Sequence, residues 1–184
     1  MDYLRTILIF SHLMVFAFAI TSLYKSDFEL LFQRPSNEDI KSMGDHMLIY
    51  LVVLWTTGLG LIYIDTGFDM DKIRSAQKLI TKLSSTIVLT LNAIVIHFIA
   101  FKKLERDTLS GADMLLMAIA GAISTASWTF AAFLGIAKAL VKHFSLADFL
   151  GLYGLVVLGA VATAIALTPT ITNNWKRPRR EIQA

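Results

Sequence analysis

The sequence predicts an all-α integral membrane protein, a bundle of five transmembrane helices, and three observations carry that expectation. The 184 residues are 55% hydrophobic and only 17% charged, against roughly 25% charged in an ordinary soluble domain. Mean hydropathy is +0.62, and a soluble domain of this size has too little interior to hide so much apolar surface, so lipid must be the solvent for much of it. Five apolar runs recur along the chain, and three of them follow a Ser-x-x-Asp tetrad. That tetrad is a capping box, in which hydroxyl and carboxylate satisfy free amides at a helix start.

The first run occupies residues 6–24, interrupted only by His12. Its short head and the Ala17-Phe18-Ala19 triplet resemble a secretory signal with a small-residue cleavage site; the segment reads instead as the first transmembrane helix, over about 5–24. Residues 25–46 are too polar to span, although Phe28, Leu30, Leu31 and Phe32 suit an interface. Ser36 with Asp39 opens the second helix, 37–64, which contains Trp55, Thr56, Gly58 and Gly60. A connection of mixed charge covers 65–78. The third helix, 79–102, is uncharged over 83–101, which is close to the roughly 20 residues that cross a bilayer, and it carries Asn92 and His97. Ser110 with Asp113 opens the fourth, 111–141, and Ser145 with Asp148 opens the fifth, 146–168. Pro169 has no amide hydrogen and is expected to stop that helix, leaving a basic tail, 169–184. The whole chain, 1–184, reads as one membrane domain.

Five spans put the termini on opposite sides. Lysines and arginines number seven on the N-terminal side and ten on the other, where the tail carries the KRPRR cluster. The excess marks the cytoplasmic face, so the expectation is a cell inner-membrane protein with its N-terminus outside and its C-terminus cytoplasmic. The net charge of +3 comes from short loops and the tail rather than an aromatic-interleaved patch, which argues against nucleic acid. No cysteine is present, and that excludes disulfides, thiolate metal sites, iron–sulfur clusters and thioether-attached haem. Trp55-Thr56 and Trp128-Thr129 sit at similar depths in the second and fourth helices, a faint sign of a duplicated hairpin or simply two packing tryptophans. Helices four and five are dense in glycine, alanine and serine, which fits either close packing with each other or docking of a membrane partner subunit.

Polar groups inside a membrane are costly and mark candidate sites. His143 lies in a short loop and reads as solvated. His97 sits about 6 Å inside the C-terminal face and His46 starts helix two at that same face. These two are the candidate metal ligands, because bis-imidazole ligation between helices gives a low-spin b-type haem. His12 is placed about 18 Å in, near mid-membrane, with Asn92 at similar depth. A His12–Asn92 contact would satisfy both, structurally or within a quinone or porphyrin site, and Lys82 can reach His12 by its long stem. The alternative is that these are ordinary hydrogen-bonding residues. No acidic residue falls inside an apolar run and no pair of broken helices occurs, so nothing signals a transport path. Gly58-Leu59-Gly60 has no strand before it and is not a dinucleotide fingerprint.

His12, Gly58-Leu59-Gly60, Lys82-Leu83 and His97, over about the first hundred residues, resemble small bacterial membrane haem proteins. These are the haem-containing membrane protoporphyrinogen oxidase family and the copper-resistance D-type membrane domains. The resemblance implies haem and activity roles for His12 and Lys82. The spacing from Lys82 to His97 is longer than in that family, and its arginine near helix two has no clear counterpart. The expectation is therefore a membrane protein binding haem b through His12, His46, Lys82, Asn92 and His97, for electron transfer or porphyrin redox chemistry. The alternative is a non-catalytic accessory subunit of a larger membrane complex.

Overall fold

A computed structural model describes residues 2–33, 35–104, 109–137, 139–140 and 143–176. Five helices in it are long and apolar enough to cross a membrane: Asp2–Phe32, Asn37–Thr66, Gln77–Leu104, Gly111–Ile136 and Leu146–Trp175. No strand occurs among the described residues. The chain is a helical integral membrane protein. Its exposed apolar side chains, such as Phe10 at 65% and Leu155 and Leu158 at 68% each, face where lipid lies.

The elements follow from local signals. Helix α1 spans Asp2–Phe32 and α2 Asn37–Thr66. At the start of α2 the Ser36 hydroxyl accepts from the Asp39 amide at 3.0 Å, while the Ser36 amide donates to the Asp39 carboxylate at 3.1 Å. Gly67 ends α2 in the left-handed region (φ 63°), where glycine lacks a steric penalty. The short α3, Met70–Ser75, is capped by Asp69. The third span is composite: α4, Gln77–Val95, a π-helical turn, Ile96–Ala100, and α5, Phe101–Leu104. Helix α6 is Gly111–Ile136, with the Ser110–Asp113 box in place. Helix α7 is Leu146–Lys176, opened by Ser145, whose hydroxyl accepts from the Asp148 amide at 3.3 Å.

Two elements run further than the sequence suggested. Helix α1 continues eight residues past Tyr24 to Phe32, because neither glycine nor proline occurs between residues 25 and 34. The expected interfacial segment thus begins as helix, with Lys25 and Glu29 paired at i,i+4, 3.8 Å apart. Helix α7 passes through Pro169 instead of stopping there. Proline is tolerated in membrane helices where neighbouring groups take over freed backbone bonds. Here the freed carbonyl is that of Ile165, whereas the Thr168 and Thr172 hydroxyls donate to the Ala164 and Thr168 carbonyls, and the extension is fastened by Asn174 donating to the Leu31 carbonyl of α1. The helix therefore takes in the first part of the expected tail, whereas the fourth helix stops at Ile136, short of the expected 141, with Ala137 as its cap; residues 177–184 lie outside the described residues.

Packing is most extensive between α6 and α7, α1 and α2, and α4 and α6. Thr81, Ser85, Leu89 and Asn92 form the buried stripe of α4, spaced at i, i+4, i+8 and i+11. Small side chains on such a stripe let membrane helices approach closely. One apolar cluster joins Ala19 and Leu23 of α1, Leu51 and Leu54 of α2, Leu89 of α4 and Trp128 of α6. A second joins α6 to α7 through Phe130, Leu134, Phe149 and Tyr153. Large side chains rather than glycines make that second contact. Gly121, Gly151, Gly154 and Gly159 each have nothing within 4 Å of where a Cβ would stand.

Candidate functional site

His12 is nearer the N-terminal face than expected, because its depth was counted from Tyr24 whereas α1 ends at Phe32. It stands seven residues from Arg5, about 10 Å along the helix, and Arg5 pairs with Asp65 at the end of α2 at 2.7 Å. His12 Nδ1 shares a 2.8 Å hydrogen bond with Thr57 Oγ1 of α2. Lys82 is half-buried near the start of α4. Asn92 turns the other way: its amide donates to the Ala120 carbonyl at 2.8 Å and to Ser124 Oγ at 2.9 Å, both on α6. The expected His12–Asn92 contact is therefore replaced by two separate fastenings, α1 to α2 and α4 to α6.

The expected common level of helix two's start and His97 is found, with a different partner. His97 Nε2 lies 3.0 Å from Asp45 Oδ1. His46 is exposed. Successive helical residues do not share a face, so a helix that aims Asp45 at α4 turns His46 away from it. Among the described residues no group of three or more His, Asp or Glu side chains is placed to hold a metal ion.

His97 sits on the π turn, where an i→i+5 bond runs from the Phe101 amide to the Ile96 carbonyl. A π turn inserts an extra residue into the helical repeat, re-aims the side chains around it and recurs at functional sites. Phe101 closes the turn, its ring 5.0 Å from that of His97. It lies over Gly44 of α2, where a Cβ would be only 2.2 Å from Phe101 Cζ. Gly44 is thus the notch that lets this ring seat.

His97 and Phe101 form part of the wall of a cavity of about 390 Å³, lined by residues from all five spans. That volume lies within the roughly 300–1,000 Å³ of small-molecule sites. The wall is overwhelmingly apolar: Leu23 and Leu30 of α1, Met47 of α2, Trp128 of α6 and Leu167 of α7 are representative. Among the described residues its titratable groups are His97 and Asp27, and no lysine or arginine lines it.

Asp27 is the residue that the sequence did not reveal. It belongs to the helical extension of α1, and Leu23, Asp27, Leu30 and Leu31 line the cavity together at i, i+4, i+7 and i+8. That spacing was the available signal. Thr125 Oγ1 of α6 donates to Asp27 Oδ2 at 2.6 Å. Thr125 is fourteen residues into α6 and one residue after Ser124, the partner of Asn92. Asp27 thus lies within the first span, five residues before the end of α1, and the expectation of no acidic residue within a span is corrected.

No family model matches the chain, and neither a curated protein nor a solved structure is detectably similar to it. Fold and cavity together define a helical membrane protein with a nearly apolar chamber whose described wall bears two titratable groups.

Proposed function

We propose that this protein binds a hydrophobic small molecule within its five-helix bundle. One observation carries the reading: the cavity of about 390 Å³ is lined by every span and has two titratable groups, Asp27 and His97, in a largely apolar wall. Such a chamber is the usual form of a small-molecule site, apolar for affinity with a few polar groups for orientation. Gly121 supplies a selective test, since it lines the cavity and a Cβ there meets nothing within 4 Å. Gly121→Leu should fill the chamber without displacing protein atoms. In lipid nanodiscs the wild type should bind 4-phenylbutanol saturably above the empty-disc background, and the filled variant should not. Equal binding by both would defeat the proposal.

A second reading, haem b serving electron transfer or porphyrin chemistry, is favoured by the position of His97 on the cavity wall beside Phe101. A neutral imidazole there can ligate iron, in exchange for its bond to Asp45. Expression with ample haem should then give a Soret band that His97→Ala removes. A colourless wild type would eliminate haem while leaving the cavity reading intact. The proposed setting is the cell inner membrane, N-terminus outside and C-terminus cytoplasmic, supported by the lysine and arginine excess on the C-terminal side.

A further inference from the structure

We infer that Asp27 is the recognition group for a cationic nitrogen, so that the cavity takes an organic ammonium carried on an apolar body. The inference rests on the cavity being a ligand site and specifies the chemical class that it accepts. A carboxyl set in the nearly apolar wall of a membrane bundle is costly unless something balances it. Thr125 orients Asp27 Oδ2 by a 2.6 Å hydrogen bond but brings no positive charge. Among the described residues the cavity wall supplies none either, since no lysine or arginine is among those that line it. Other acids of the bundle have such a partner: Asp65 has Arg5, and Asp113 has Lys103. Asp27 faces the chamber instead, where a ligand's ammonium would complete the pair.

The surroundings select among cations. Magnesium and calcium require six or more oxygen ligands, whereas a carboxylate and a few hydroxyls are all that Asp27, Ser124, Thr125 and Thr163 offer this apolar wall. An ammonium on a hydrophobic body needs only a charge-assisted hydrogen bond at one end and apolar contact elsewhere. The wall includes the rings of Phe101, Trp128 and Trp175, and aromatic faces also attract cations. His97 does not compete for Asp27, because its Nε2 is engaged by Asp45 at 3.0 Å.

The test compares three molecules of nearly one shape, 4-phenylbutylamine, 4-phenylbutanol and 4-phenylbutyrate, titrated into wild type and variants in nanodiscs. The amine should bind more than about tenfold tighter than the alcohol, as expected for one charge-assisted hydrogen bond, and the carboxylate weakest. Asp27→Asn should abolish the amine's advantage over the alcohol. Thr125→Val should reduce the advantage in part, and Asp45→Asn should leave it unchanged. Equal binding of amine and alcohol by wild type, as a protonated Asp27 would give, overturns the inference alone, as does an advantage that survives Asp27→Asn. Failure of all three molecules to bind overturns the cavity reading with it. Should Asp27→Asn fail to fold, Thr125→Val and Asp27→Glu decide: the first must weaken the advantage and the second must retain it.

Discussion

Asn92 shows how a polar side chain can look like a site and serve as a fastener. Its amide group holds α4 to α6 through Ala120 and Ser124. Interhelical hydrogen bonds in membranes average about 0.6 kcal/mol and reach about 1.7, because the unfolded chain in lipid also finds partners. Asn92→Ala should therefore lower stability by about 1 kcal/mol in reversible unfolding from bilayer-mimetic micelles. A loss several times larger would show that Asn92 does more than join two helices. His97 and Asp45 form a weaker tie, since Asp45 is 66% exposed and surface pairs contribute about 0–1 kcal/mol. Asp45→Ala should accordingly leave the unfolding midpoint nearly unchanged. The type of these residues was legible in the sequence, but their partners were not, because partner choice depends on helix rotation and on where each helix ends. Asp27 was missed for the same reason: a polar stretch looked like a loop until the helix was seen to run through it.

Among the elements, the composite third span and the two extended helices decide the shape of the cavity. Gly44 admits the Phe101 ring that closes the π turn. Gly44→Ala should force that ring aside at about 1–3 kcal/mol, the usual range for overpacking, and should narrow the chamber that both residues line. A fall in the unfolding midpoint together with weaker 4-phenylbutanol binding would establish this; an unchanged protein would refute it. The end of α7 relies on Asn174 at Leu31. Asn174→Ala should speed amide hydrogen exchange beyond Pro169, with little change in the earlier turns of α7. The helix starts were readable because capping boxes are local chemistry. The helix ends at residues 24 and 168 were not, because no local stop signal follows Tyr24, and the continuation past Pro169 is held by an asparagine bonded to another helix.

For the molecule as a whole, five spans and an all-helical fold followed from hydropathy alone, since a bilayer leaves few alternatives. Orientation can be tested cleanly because the chain has no cysteine. With the proposed topology, Ser75→Cys should react with an impermeant maleimide in intact spheroplasts and Ser42→Cys only after permeabilisation; the reverse pattern would invert the assignment. The cavity was not legible, because it is formed jointly by residues from all five helices and no single stretch encodes it. The most direct test of the central claim is native mass spectrometry of protein gently released from its own membrane. Wild type should carry a bound small molecule at up to one copy per chain, resistant to collisional stripping that removes peripheral lipid, and Gly121→Leu should lack it. Wild type and filled variant with identical spectra, showing only the bulk lipid pattern, would contradict a ligand-binding cavity.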